Sequence, residues 1–128
     1  MSGQIRTYRD LLVWQKAMAP VTDIYRVSRV FPREKAYGLT AQLRRYAVSI
    51  PSNIAEGYDR NATNDYLRLL RIAMGSLYEL QTQVQIAANL GYLGNGDCDP
   101  IFDSARELER MMSSLLQKLR DSSNGAIQ

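Results

Sequence analysis

Residues Leu39 to Gly57 read LTAQLRRYAVSIPSNIAEG, and the spacing of apolar side chains in this run decides the fold class. Leu39, Leu43, Tyr46/Ala47, Ile50 and Ile54 recur at steps of three and four, the interval that stacks side chains on one face of an α-helix. Pro51 falls inside the pattern. It denies a hydrogen bond to the carbonyl of Ala47, and Ser49, Ser52 and Asn53 stand close enough to serve the loosened backbone. Asn53 and Glu56 lie three apart on one side of the helix, and Gly57 suits the left-handed position beyond a last turn. The Asn53–Glu56 pair reads either as helix-end hydrogen bonding or as a polar recognition point.

On the N-terminal side, Thr7 is placed to cap a helix and Asp10 to answer it from the third helical position. Leu11, Trp14, Met18, Val21 and Tyr25 then form one apolar stripe, on which Trp14 reads as a packing residue. Pro20 lies in the middle and predicts a kink, because the stripe resumes in phase beyond it. Phe31-Pro32 ends the element, and Arg33, Glu34 and Lys35 make a short link.

On the C-terminal side, Asp59, Arg60 and Asn61 belong to a polar turn, with Asn61 or Thr63 as the next cap. Tyr66, Leu70, Ala73, Leu77, Leu80, Val84 and Ala87 alternate steps of four and three, the period of a helix packed at a shallow angle on long neighbours. Gly75 interrupts good helix formers at a cost of about 1 kcal/mol relative to alanine. A close helix–helix approach there is the compensation to expect. Asn89 and Gly91 end the helix. The glycines between Gly91 and Asp97 lack the lysine and hydroxyl residue of a phosphate loop and read as a turn. Asp99 as cap and Pro100 as first helical residue open a fourth helix, with Ile101, Ala105, Leu108, Met112, Leu115 and Leu119 on its inner face. The tail DSSNGAIQ from Asp121 is expected to fray.

These runs predict an all-α, antiparallel up-down-up-down four-helix bundle over 1–128, with helices at about 8–30, 36–57, 63–90 and 100–120. Leu69, Met74 and Ile86 flank the third stripe, and Phe102, Met111 and Leu116 flank the fourth. Four helices do not need so wide an apolar surface to close one another, which predicts a homo-oligomer.

Composition bounds the function. The chain has 128 residues, 45% apolar and 23% charged, which suits one globular domain. No apolar run approaches the eighteen residues of a membrane span, and the opening MSGQIRTYRD lacks the apolar stretch of a secretory signal. A single cysteine, Cys98, predicts a reducing, cytoplasmic setting. There is no histidine, so the commonest general base and a major metal ligand are missing. No serine has a basic partner suggested by local sequence. No catalytic residue, metal or cofactor is therefore expected.

Basic residues remain. Residues 1–75 carry twelve Lys/Arg against six Asp/Glu, whereas residues 76–128 carry four against seven. Arginine supplies thirteen of the sixteen basic groups, and its planar fork suits phosphate. Arg44, Arg45, Arg60, Arg68 and Arg71 on the second and third helices are candidates for a shared surface that contacts nucleic-acid phosphates. The plainer reading is solvated charge, with Asp65 placed to pair with Arg68.

DLLVWQKA (Asp10 to Ala17), FPREKAYGLTAQLRRYAVSIPSNIAEGYDR (Phe31 to Arg60) and YLRLLRIAMGSLYELQTQVQIAANLGYL (Tyr66 to Leu93) closely resemble the bacterial S23 ribosomal proteins. These are also known as proteins encoded by intervening sequences within the large-subunit ribosomal RNA gene. The likeness runs from about Tyr8 to Arg120. It implies a four-helix bundle that is one subunit of a ring-shaped homopentamer. Positions matching the family signature are Gln42, Arg44, Ser49, Pro51, Asn53, Glu56, Gly57, Gly75 and Glu79. A related bundle from diversity-generating retroelements is a basic pentamer associated with reverse transcriptase and nucleic acid. The resemblance thus implies an RNA- or DNA-associated scaffold; a protein-interaction adaptor is the alternative.

Overall fold

In the computed structural model, which describes residues 4–127, the chain forms a 3-10 turn at Tyr8–Asp10 and four α-helices. These are α1 (Leu12–Ser28), α2 (Tyr37–Tyr58), α3 (Thr63–Asn89) and α4 (Asn95–Ile127). Each helix packs on its neighbour in sequence, and α4 closes the bundle by packing on α1. The α1–α3 and α2–α4 pairs lie across the core from each other.

The Thr7–Asp10 pair forms, but it caps the 3-10 turn rather than α1. Asp10 Oδ2 accepts from the amides of Arg6 at 2.9 Å and Thr7 at 3.1 Å, which holds its carboxyl below the usual range. Leu11 is extended, and α1 starts one residue later. Gln15 Nε2 donates to the Arg9 carbonyl at 2.8 Å and ties the turn to the helix. The Tyr8 ring meets Trp14 edge-on at 5.1 Å, so Trp14 is a half-buried packing residue.

The inner face of α1 is Val13, Ala17, Pro20, Ile24 and Val27. The expected stripe of Leu11, Trp14, Met18, Val21 and Tyr25 is offset from it, and Met18 and Tyr25 are exposed. Two apolar sets run side by side on this helix. The smaller residues face inward because they let the neighbouring helices approach. Pro20 is buried on that inner face, and α1 runs through it without a break.

On α2, Leu43, Ala47, Ile50 and Ile54 are fully buried, as their spacing implies. The helix also passes through its proline, Pro51. Asn53 Nδ2 donates to the Ser49 carbonyl at 2.8 Å and to Ser49 Oγ at 2.9 Å. The backbone it serves is that of Ser49, two residues beyond the Ala47 carbonyl that Pro51 leaves without a donor. Gly57 is still helical, and Gly91 is the one glycine with positive φ among the described residues. Gly57 is needed for space instead. A Cβ there would lie 2.8 Å from Cδ1 of Tyr66 and 3.3 Å from Cβ of Leu69.

The buried heptad of α3 is the expected one, with Leu70, Ala73, Leu77, Leu80, Val84 and Ala87 all sealed from solvent. Each such Leu or Val contributes roughly 1.5–3 kcal/mol by leaving water. Neither expected side-chain cap forms at the start of α3, since Ala62 is the capping residue. At its end, Gly91 takes φ +82°. The amides of Gly91 and Tyr92 reach back to Ala88 and Ala87 at 3.0 and 2.9 Å, which satisfies two carbonyls of the last turn.

Helix α4 begins before Asp99-Pro100. The Cys98 amide donates to the Gly94 carbonyl at 3.0 Å, so Pro100 lies inside the helix. The helix then continues to Ile127, past the point where the DSSNGAIQ tail suggests fraying. Ile101, Ala105, Leu108 and Met112 are fully buried, and Leu116 rather than Leu115 continues the inner face. Leu69, Met74 and Leu116 are therefore spent inside the bundle. Phe102 and Met111 are half-buried against the core, and Ile86 stays exposed.

Candidate functional site

Polar rungs join α2 to α3. Gln83 Nε2 donates to Gln42 Oε1 at 2.5 Å, and Ser49 and Ser76 share a hydrogen bond of 2.8 Å. Numbers rise along α2 as they fall along α3, and Gly57 meets Tyr66 further on. Gln42, Ser49, Asn53 and Gly57 thereby have structural work in this seam, and Pro51 is buried beside it. Gln83 Oε1 is buried without a hydrogen-bond partner. Glu56 takes a separate task, accepting from Arg60 Nη2 at 2.6 Å. Asn53 and Glu56 do not act as one pair.

Gly75 and Glu79, in contrast, face outward. A Cβ on Gly75 would meet nothing within 4 Å, so no helix approaches it within the subunit. Within one turn of it Ile72 is 43% exposed and Tyr78 50%, and nearer the end of α3 Ile86 is 43% exposed and the capping residue Leu90 58%.

The five candidate arginines are not brought together. Arg44 turns towards α1, where its Nε donates to Ser28 Oγ at 3.0 Å and its guanidinium lies 4.8 Å from the Tyr25 ring centre. Arg60 is engaged by Glu56. The rungs place Arg45 level with Leu80, Arg71 level with Ile54 and Arg68 level with Gly57. At 1.5 Å per residue, Arg45 is separated from Arg71 and Arg68 by roughly 14 to 18 Å along the bundle. Arg45, Arg68 and Arg71 form no ion pair among the described residues, and Asp65 does not pair with Arg68.

A concentration of arginines lies elsewhere, at the corner between the end of α1 and the start of α2. A cleft of about 450 Å³ is lined by Ser28, Arg29, Phe31, Arg33, Tyr37, Thr40, Ala41 and Arg44. Of these, only Arg44 stands among the arginines singled out by sequence. Arg29 and Arg33 straddle the Phe31-Pro32 break, and only the packing of α1 on α2 carries them to Arg44. Their spacing of four around a chain reversal is the one signal the sequence offers.

Two titrating groups are perturbed within the bundle. Burial, and then the neighbouring Tyr58, raise the Tyr66 phenol. Burial, and then Asp99 and Asp97, raise the Cys98 thiol. A buried thiol held protonated is a poor nucleophile. Among the described residues no three His, Cys, Asp or Glu side chains cluster to hold a metal ion, and no helix is long and apolar enough to cross a membrane.

Comparison with known proteins fits this geometry. A crystal structure of a protein from Bacteroides thetaiotaomicron VPI-5482, described as of unknown function and from the S23 ribosomal protein family, superposes with a TM-score of 0.76. At 19% identity it covers 82% of this chain and 98% of its own, and shows the shared fold. Among curated proteins no match is found. The family model for the 23S rRNA-intervening sequence protein matches residues 9–114, and the chain belongs to that family.

Proposed function

We propose that the protein is a non-catalytic scaffold: a cytoplasmic up-down-up-down bundle that assembles with copies of itself into a ring and associates with nucleic acid. The observation that carries the assembly is the outward face of α3. An exposed mid-helix glycine costs about 1 kcal/mol relative to alanine, and nothing within the subunit approaches Gly75 to offset it. Ile72 and Tyr78 flank it within one turn, and Ile86 and Leu90 extend the exposed apolar surface towards the end of the helix. A second copy seated there makes use of both the glycine and the apolar area. Five subunits is the number the family resemblance supports.

Nucleic-acid association rests on Arg45, Arg68 and Arg71, which no carboxylate neutralises among the described residues. A ring repeats these charges in every subunit, so their fields add around the assembly although they are spread along the bundle. Light scattering on a size-exclusion column, with and without bulk RNA at low and high salt, tests the reading. The expected result is one defined oligomer whose mass rises with RNA at low salt only. Replacing Arg45, Arg68 and Arg71 by alanine keeps the oligomer and weakens the shift. An oligomer indifferent to RNA would remove the nucleic-acid role and favour a protein adaptor. A monomer would remove the ring.

A further inference from the structure

The α1–α2 corner has the makings of an anion site. Three arginines, Arg29, Arg33 and Arg44, line one cleft, and no Asp or Glu lines it with them. Arg44 is held in place rather than free to wander, because Ser28 Oγ takes its Nε and the Tyr25 ring lies beneath it. Among the described residues its two terminal nitrogens have no hydrogen-bond or ion-pair partner, which leaves a fork of the kind that binds phosphate oxygens in pairs. Among the described residues Arg29 makes one side-chain hydrogen bond, from its Nε to the Arg26 carbonyl at 3.5 Å.

The start of α2 opens on the same cleft through Tyr37, Thr40 and Ala41. Its capping residue is Ala36, with no side-chain cap. The first-turn amides therefore add partial positive charge to the arginines around them. Beside them Tyr37 is 77% exposed. An exposed aromatic next to an anion site is a stacking platform, which an inorganic anion does not need and a base does.

A second depression of about 540 Å³ adjoins the first and shares Arg29 and Arg44 with it, with Thr22, Tyr25 and Arg26 as its other lining residues. Arg26 is engaged there by Asp23 at 3.3 Å and by Asp97 at 3.9 Å, so Arg29 and Arg44 are the arginines of this groove outside any ion pair among the described residues. The groove along the α1–α2 seam nevertheless runs longer than one pocket, which suits a strand better than an isolated phosphate.

We propose that the Arg29–Arg33–Arg44 cleft binds a nucleoside phosphate as one unit of an unpaired nucleic-acid strand, with its phosphate on the arginines and its base against Tyr37. This inference rests on the nucleic-acid reading above and gives it a location distinct from Arg45, Arg68 and Arg71.

The test is fluorescence anisotropy with a labelled oligouridylate, competed by free uridine monophosphate, on the full-length chain. Two exposed-residue variants are used: Arg29→Ala with Arg33→Ala, and Tyr37→Ala. Both leave Arg44 and its anchor intact, and circular dichroism checks the helix content. The double variant is expected to lower the slope of log affinity against log salt by about 1.4, because each phosphate neutralised on a single strand accounts for about 0.7. Tyr37→Ala is expected to weaken binding about tenfold with the salt slope unchanged, as removal of one base stack predicts. Arg44→Lys, which keeps the charge and removes the fork, is expected to weaken the strand as well.

Oligouridylate binding that is unchanged in both variants but abolished on replacing Arg68 and Arg71 would overturn the cleft and keep the scaffold reading. Binding of uridine monophosphate measured directly by titration calorimetry, abolished by the double variant, with no oligouridylate binding would keep the cleft and overturn the strand. Absence of binding by either probe would overturn the inference entirely.

Discussion

A methyl group added at Gly57 would come within 2.8 Å of the Tyr66 ring, closer than side-chain carbons normally approach. Tyr66 cannot swing away freely, because its ring packs edge-on with Tyr58 at a centroid distance of 6.3 Å. Overpacking of this kind costs about 1–3 kcal/mol, and the helix-propensity gain of Gly→Ala returns about 1 kcal/mol. Gly57→Ala is therefore expected to destabilise the bundle by about 1 kcal/mol, read as a lower urea midpoint at unchanged slope. An unchanged or higher midpoint would mean that Tyr66 repacks without strain. The position of Gly57 after SIPSNIAE resembles a helix end, which is why the sequence suggests a left-handed residue. Its true constraint comes from α3, and a contact between residues 57 and 66 across a turn leaves no periodic trace. Gly91 does have the left-handed conformation, and there the signal is local: a glycine shortly after the last apolar position.

At the scale of the helices, α3 is the most legible because its inward set keeps a regular alternation of four and three, and the flanking Leu69 and Met74 are buried beside that set rather than in place of it. The sequence of α1 points one step away from the buried face because two apolar sets compete, and bulk alone favours Trp14 over Ala17. Which set is buried depends on how closely α2 and α4 approach, and that is a tertiary quantity. The rungs from Gln42 to Gln83 and from Ser49 to Ser76 are likewise invisible in the sequence, since each partner lies on a different helix. The basic cleft follows the same rule: Arg29 and Arg33 become neighbours of Arg44 only when the chain reverses at Phe31-Pro32. The outward face of α3 yields its own prediction. Gly75→Ala meets open space within the subunit, so the isolated bundle should gain about 1 kcal/mol. If a second copy seats on this face, the same change, or Ile72→Glu beside it, weakens assembly. Sedimentation of the variants at the concentration where the wild type assembles checks this. Full assembly of both variants would place the subunit contact elsewhere.

For the whole molecule, pH acts through groups that the fold keeps neutral. Tyr66 and Cys98 both have raised values in the folded state. Their protonated forms are the ones the bundle accommodates, so their contribution is complete below the unfolded-state values of about 10 and about 8.5. It vanishes as pH climbs through the higher folded-state values, because the unfolded chain releases these protons first. Urea midpoints are expected to be level near neutrality and to fall above about pH 9, with Cys98→Ala removing the earlier part of the fall. Midpoints that stay level through alkaline pH would show that neither group is coupled to folding. Ion pairs contribute little by comparison. Lys16–Glu107 at 3.0 Å and Arg26–Asp97 at 3.9 Å join α1 to α4, but about half of each side chain faces water.

The two polar rungs between α2 and α3 recur at an interval of seven residues, two helical turns. Sliding one helix along the other by a single turn, about 5.4 Å, would break both rungs together and set polar groups against Leu and Ala. The pair consequently behaves as a ratchet with one tooth engaged, and the height of everything mounted on α2 is defined relative to α3. The arginine corner at one end of α2 and the glycine face midway along α3 are thus held at a constant offset. If copies seat on the glycine face, every subunit then carries its arginine corner at the same height above the contact.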